Sequence, residues 1–166
     1  MNIKLKLLTP DDVTPEYLEW LSDPDINQYL ESRWSSYTLE DLRNYVKSVN
    51  NSNNFLFGIF LQDSKHIGNV KLGNINWIHR YADIGIIIGD KSCWGKGYGT
   101  KAIELATEYA FTELNLKHIM AGIYANNIAS YKAFLKAGYR EVGRFTKRRF
   151  YKGNYVDEII MEKVKT

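Results

Sequence analysis

Cysteine, proline and long apolar runs are all scarce in this 166-residue chain, and each scarcity removes a class of structure. The single cysteine, Cys93, excludes an intrachain disulfide framework and a multi-cysteine metal site. With three prolines and no biased linker, the length predicts one domain, residues 1–166. The apolar runs are much shorter than the roughly 20 residues of a membrane-spanning helix. Because residues 1–6 alternate as a strand does and not as a signal peptide, we expect a cytoplasmic protein without a membrane partner.

An excess of charge of one sign is also missing. The net charge is only +3, and no basic stripe of the nucleic-acid-binding type is present. We interpret the one basic cluster, Lys147–Arg149, as a solvated strand face and not as a phosphate-binding patch. No nucleic-acid partner is therefore expected.

Hydrophobic periodicity predicts a mixed α/β (α+β) fold with a mostly antiparallel sheet of about seven strands and about four helices. Strict alternation of strand and helix, as in a doubly wound sheet, is absent. The predicted strands are 1–8, 55–61, 66–74, 81–89, 118–125, 140–151 and 155–164. The predicted helices are 16–21, one from a capping box at Thr38 to Val49, one that follows the glycines at 95–99, and 127–137.

The segment Trp94-Gly95-Lys96-Gly97-Tyr98-Gly99-Thr100 joins a β-branched strand to a helix. Glycines permit positive φ, and a helix N-terminus presents unpaired N–H groups and a positive dipole end, which together suit a phosphate. The spacing is neither GxxxxGK[ST] nor GxGxxG, so nucleoside triphosphate and NAD sites are weakly supported. A purely structural loop stays open on this pattern alone.

The same segment resembles the pyrophosphate loop of the GCN5-related N-acetyltransferases (the GNAT family). It is especially similar to the branch of ribosomal-protein N-terminal, spermidine and sugar-nucleotide amine acetyltransferases, with Trp94 at the place of the usual Gln or Arg. Three further blocks agree in order and spacing. They are residues 74–85, the segment from Asn127 through Phe134 to Tyr139, and the closing hairpin 150–157.

The resemblance implies a GNAT fold whose central strands splay apart, with acetyl-CoA as co-substrate and no metal. It implies that the backbones of Ile86 and Ile88 face the pantetheine, and that Asn127 bonds the pantetheine or adjacent backbone. The implied pyrophosphate-binding residues are Trp94, Gly95, Lys96, Gly97, Tyr98, Gly99 and Thr100.

The implied reaction is direct attack of an amine on the thioester, and an alkylamine with a pKa near 10 must first lose a proton. For the base we favour Asp83, at the place where several relatives carry Glu, acting through a bridging water. The alternative is a carboxylate without a catalytic task. His79 and Glu31 are reserve candidates.

For the acid, the family's usual Tyr is missing, because Phe134 stands at that place and cannot donate a proton. Ser130 ranks first and Tyr131 second, one turn earlier on the same helix. Protonation of the thiolate by solvent also suffices. Cys93 has no evident His partner, so we interpret it as a packed thiol and not as a nucleophile.

The acceptor is expected to be a small-molecule or peptide amine. Arg33 and the net charge favour an amino-sugar nucleotide or a protein N-terminus, with a polyamine as the alternative. A non-catalytic sensor of coenzyme A with the same fold stays open because of Phe134, and a homodimer is open because relatives often dimerise. The predicted lining residues are Glu31, Arg33, Trp34, His79, Tyr81, Tyr151 and Tyr155.

Overall fold

A seven-stranded sheet with the order β1-β2-β3-β4-β5-β7-β6 organises the computed structural model, which describes residues 1–166. Every neighbouring pair is antiparallel except β4 and β5, which are parallel. The mostly antiparallel mixed sheet predicted from the sequence is confirmed. The strands are β1 Ile3–Leu7, β2 Phe55–Leu61, β3 His66–Asn76, β4 Tyr81–Ile88, β5 His118–Tyr124, β6 Arg140–Tyr151 and β7 Asn154–Val164.

Five α-helices flank the sheet, one more than predicted. Asp23 ends the first and caps the second by accepting from Asp25 N, so the chain restarts a one-turn helix at Pro24. None of the five has the length and apolar character to traverse a bilayer. The helices are α1 Pro15–Ser22, α2 Pro24–Asn27, α3 Leu39–Val49, α4 Tyr98–Thr112 and α5 Ile128–Lys136, and short 3₁₀ turns cover Pro10–Asp12, Glu31–Trp34 and Lys91–Cys93.

The two faces of the sheet are covered by different helices, because successive strand residues point to opposite sides. Phe57 and Ile59 of β2 join a core of 22 buried residues with α4 and α5, on the side that we call the rear face. Leu56 and Phe60, which alternate with them, join a second core of nine residues with α1 and α3 on the front face. The expected packed thiol, Cys93, is buried in the rear core.

The splay between the central strands is present. β4 and β5 pair only where Tyr81–Asp83 faces His118–Met120, and beyond that point they carry no mutual register. We call the space between Ile84–Ile88 and the second half of β5 the gap. It separates the front face into a β3–β4 side and a β5–β7–β6 side.

One expectation about the surface is wrong in part. Lys147 and Arg148 are exposed as a solvated strand face should be, but Arg149 is not free. Its guanidinium binds the buried carboxylate of Glu158 on β7. A bulge between Phe145 and Arg149 changes the register of β6 just before this residue, which periodicity alone does not predict.

Gly89, directly after β4, is packed against the indole of Trp20 in α1. A Cβ at Gly89 would lie 1.9 Å from Trp20 Cδ2, and Trp20 is itself buried. We expect Gly89→Ala to destabilise the fold by about 1–3 kcal/mol or more through overpacking, seen as a lower midpoint of thermal unfolding.

The matched control is Gly143→Ala on β6, where an added Cβ meets nothing within 4 Å. Its unfolding midpoint should stay near that of the wild type. Equal effects of the two substitutions would contradict the close contact of Trp20 with the end of β4.

Candidate active site

The loop before α4 holds a run of unused backbone donors. The six amides from Gly95 to Thr100 donate no hydrogen bond within the chain, whereas Trp94 N donates to Lys91 O at 3.1 Å. Three of the six open helix α4, where the first N–H groups of any helix lack internal acceptors. The loop therefore presents donors and a helix dipole that fit the pyrophosphate of coenzyme A.

Two glycines give the loop its shape. Gly95 has φ 70° and Gly97 has φ 86°, both left-handed, and Gly97 is the N-cap of α4. A β-branched residue is strained at such a φ, so this course of the backbone depends on glycine.

The side chain of Trp94 ties the loop to the end of β4. Its indole Nε1 donates to Ile88 O at 2.8 Å. Gln or Arg, the usual residues at this place in the resemblance, also carry N–H donors. Ile88 was predicted to face the pantetheine with its backbone, and its carbonyl already has this protein partner.

The backbone of β4 that faces the gap lacks a neighbouring strand. Gly89 N donates to Ile67 O at 2.8 Å, and bonded pairs alternate along an antiparallel ladder. The N–H and C=O groups of Ile86 and Ile88 therefore point away from β3 and into the gap. Ile86 keeps both groups free, as an extended pantetheine chain requires.

Helix α5 begins on the other side of the gap, after β5. The Asn127 side chain caps it by accepting from Ser130 N at 3.3 Å, which matches the adjacent-backbone alternative stated for this residue. Ser130 and Tyr131 are half-buried in its first turn. Phe134 lies in the rear core, edge-on to Tyr139, so no group at this position can protonate a thiolate.

A cavity of about 360 Å³ opens on the front face beside β4. Its floor includes Gly85 and Ile87, and Lys71 is its only charged side chain. Asn69 forms part of the wall and accepts a hydrogen bond from the half-buried ring of His66 at 2.7 Å. Desolvation lowers the pKa of His66. The remaining lining residues are Tyr17, Leu21, Leu30, Ser32, Tyr37, Leu42, Tyr45, Leu56 and Ile86.

Polar side chains occupy the opposite side of the gap. The Tyr124 hydroxyl, at the end of β5, donates to Glu31 Oε1 at 2.6 Å and accepts from Arg33 Nη1 at 3.0 Å. The pKa of Tyr124 is raised, mainly because the residue is buried and secondly because its hydroxyl is hydrogen-bonded to Glu31. Arg33 also donates to Phe150 O at 2.8 Å, which joins the 3₁₀ turn to the closing hairpin.

Stacked aromatic rings hold the same turn and hairpin together. Tyr29 stacks on Tyr151 with centroids 5.2 Å apart, and the Tyr151 hydroxyl donates to Gln28 Oε1 at 2.7 Å. The pKa of Tyr29 is raised to about 12. Burial is the larger cause, and the hydrogen bond with the Tyr151 side chain is the next. Trp34 and Phe150 lie at the exposed end of this wall with centroids 6.1 Å apart.

The predicted base and its neighbours lie at the closed end of the gap. Asp83 is half-buried on the front face, and its Oδ2 accepts from Asn74 Nδ2 at 3.1 Å. His79 and Tyr81 stack on each other with centroids 6.3 Å apart near the β3–β4 turn, and neither lines the cavity. The structure thus brings together Glu31, Arg33, Trp34 and Tyr151, and places His79 and Tyr81 elsewhere.

Comparison with known proteins identifies the architecture. A family model described as an acetyltransferase (GNAT) domain matches residues 2–140. The chain belongs to the GNAT acetyltransferases. It is 34% identical over 131 residues to a probable N-acetyltransferase of Bacillus subtilis, covering 75% of this chain and 72% of that protein.

Other relatives act on a named amine. A spermidine N(1)-acetyltransferase of Vibrio cholerae is 31% identical over 133 residues, covering 80% of this chain and 75% of the relative. A crystal structure of spermidine N-acetyltransferase from Vibrio cholerae in complex with CoA and spermine superposes with TM-score 0.86 and 27% identity, over 98% of this chain and 95% of that one. The chain is an acetyl-CoA-dependent N-acetyltransferase, as the sequence predicted.

Several front-face residues of this GNAT domain were missed by the sequence analysis. Asn69 and Lys71 lie on β3, Tyr124 on β5 and Glu158 on β7, and no local motif connects the three strands. The available signal was the exchange of apolar for polar residues at alternating strand positions, such as Asn69 and Lys71 around Val70.

The pyrophosphate assignment can be tested at Gly97. Gly97→Val forces a β-branched residue to φ 86° and redirects the free amides, so we expect loss of measurable coenzyme A binding in calorimetry from a protein that still unfolds cooperatively. Gly153→Val, at φ 82° in the hairpin turn, carries a similar strain outside the loop and should retain binding. Binding retained by the Gly97 variant would contradict the assignment.

The proposed role of Asp83 as the base that takes the proton of the amine can be tested separately. Asp83→Asn should lower kcat at neutral pH about 100-fold without changing the affinity for coenzyme A, because the amide cannot take a proton. The deficit should shrink as pH rises toward the pKa of the amine, since the free amine then forms without help. Asp63→Asn in the β2–β3 turn is the control. If the Asp83 variant is as active as this control, Asp83 is not the base.

Proposed function

We propose that the acceptor is the amine of an amino-sugar nucleotide. The single observation that carries this proposal is the chemistry of the front-face cavity, in which Lys71 is the only charged side chain. A polycation would place its charges in a mostly apolar space beside another cation, which is unfavourable. A sugar ring has a largely uncharged body that tyrosine and asparagine side chains can contact and hydrogen-bond.

The mouth of the acceptor site supports the same substrate class. Trp34 and Tyr155 are 60% and 63% exposed and flank Phe150, so aromatic surface is available to stack on a nucleobase. The Arg33 guanidinium lies 4.1 Å from the Trp34 ring centroid, where its charge can approach a diphosphate.

A polyamine is the second candidate, because spermidine acetyltransferases are among the relatives. Besides Asp83, the proposed base, the front face carries carboxylates near the gap on Glu31 and Glu158. Both face Arg149, with Glu31 Oε1 3.5 Å from Arg149 Nη1, so much of their charge is already balanced. This pairing favours the sugar nucleotide over a ligand of several positive charges.

In the proposed mechanism each side of the sheet has its own task. The amides of Gly95–Thr100 bind the pyrophosphate, and the free backbone of Ile86 pairs with the pantetheine. Acetyl-CoA supplies an acetyl thioester at the gap. The amine enters from the front-face cavity past Gly85, and Asp83 takes its proton through water.

Protonation of the leaving thiolate completes the reaction. As the new C–N bond forms and the C–S bond breaks, the thiolate takes a proton from Ser130, from Tyr131 or from solvent.

We also propose that residues 1–166 form a single domain, that the protein is cytoplasmic and that it forms a homodimer.

The test measures thiol release from acetyl-CoA with three acceptors: a uridine-diphosphate-linked amino sugar, spermidine and a short peptide with a free N-terminus. We expect the highest kcat/KM with the amino-sugar nucleotide. A higher value with spermidine would replace it by the polyamine. Tight coenzyme A binding without thiol release for any amine would instead support the sensor.

A further inference from the structure

Glu158 is a buried carboxylate that neither the resemblance nor the proposed mechanism uses. It lies on β7, on the front face, and is only 5% exposed. Its Oε2 accepts a hydrogen bond from Arg149 Nε, and Arg148 Nε lies 3.8 Å from the same oxygen. Since an unpaired buried charge is strongly unfavourable, the arginine explains how the carboxylate is tolerated.

The second oxygen of this carboxylate has no partner. No hydrogen bond or ion pair within the chain involves Glu158 Oε1, and no fully buried polar side-chain atom in the protein lacks a partner. Oε1 therefore keeps accessible surface. It lies 2.7 Å from the point where a Cβ of Gly122 would stand, so the side chain reaches from β7 over β5.

Gly122 borders the gap. The last parallel pair joins Asp83 to Met120. Two residues further along each strand, where the pairing has ended, Gly85 of β4 and Gly122 of β5 stand on opposite sides of the gap. A Cβ at Gly85 would meet nothing within 4 Å, so the space above it on the front face is open. An amine that leaves the cavity past Gly85 thus arrives opposite Glu158 Oε1.

We propose that Glu158 Oε1 binds the attacking amino group and aims its lone pair at the thioester. The inference rests on the proposed transfer to an amine that enters past Gly85. At neutral pH the carboxylate captures the ammonium form through a charge-assisted hydrogen bond. After one proton has left through water, a remaining N–H still donates to Oε1 and fixes the orientation of the nitrogen.

Arg149 completes this arrangement as a positioning residue. Its guanidinium occupies Oε2 and approaches Glu31 Oε1 at 3.5 Å, so it leaves one carboxylate oxygen of Glu158 for the substrate. A guanidinium has donors only, so Arg149 needs an acceptor, and the acceptor that it contacts is Oε2.

The decisive variant is Glu158→Gln. Because Arg149 requires an acceptor, the Gln carbonyl should face the guanidinium and its NH₂ should take the place of Oε1. A donor would then oppose the N–H groups of the amine. With the best acceptor of the panel, we expect KM for the amine to rise and kcat/KM to fall about 10- to 100-fold, the size expected for a lost charged hydrogen bond, while KM for acetyl-CoA stays unchanged.

The matched control is Glu162→Gln, on the same face of β7 four residues further on. Glu162 also pairs with an arginine, Arg140, and with His118, but its oxygens are both engaged. This variant should retain the wild-type KM for the amine. A purely structural role of Glu158 predicts instead equal changes in both KM values, or none, and either result would overturn the inference.

If Glu158→Gln does not fold, Gly122→Ala displaces the carboxylate instead, because the new methyl group would stand 2.7 Å from Oε1. The same selective rise in the KM of the amine is expected, and a wild-type KM would refute the role of Glu158. A wild-type protein without activity on any amine of the panel removes the proposed acceptor class and this inference with it. An active wild type with an unaffected Glu158 variant removes only the inference.

Discussion

Two neighbouring strands that stop pairing leave backbone donors and acceptors without partners, and in this chain that happens where β4 and β5 separate beyond Asp83. Buried peptide groups need a hydrogen-bonding partner, so a permanent opening in the middle of a sheet is unfavourable unless a ligand or solvent fills it. The free groups of Ile86 and the free amides after Trp94 lie along the same opening. A single extended molecule with a diphosphate at one end satisfies both, which is why the cofactor belongs to the fold and not only to its surface.

The opening also decides how the two substrates meet. Helices α4 and α5 cover the rear face, while α1 to α3 leave a cavity on the front face. Gly85 and Gly122 border the gap without side chains, so the passage between the faces stays clear. On the β5–β7–β6 side, Arg149 connects two glutamates from distant parts of the chain.

Most of the fold was accessible from the sequence because alternation and helical spacing are local signals. β2 has the predicted limits, and β6 does as well, while most other elements shift by one or two residues at their ends. The splay came from family resemblance, since no periodicity encodes where two strands part. The pair of Arg149 and Glu158 was not predictable, because a bulge sets the register of β6 and nine residues separate the partners across a hairpin. Only the three-dimensional structure shows that Arg149 binds one carboxylate oxygen of Glu158 and leaves the other without a partner.

The positions of the tryptophans have an optical consequence. Trp94 lies in the cofactor loop, bonded through its indole to Ile88, and Trp34 lies at the exposed mouth of the acceptor side. Trp20 is buried in the front core, and Trp77 donates to Ser52 O at the far end of β3. Indole emission responds to local polarity, so under the proposed function the chain carries one intrinsic fluorophore on each substrate's path. Variants that retain only one of the two would reveal which substrate arrives first, without any added label.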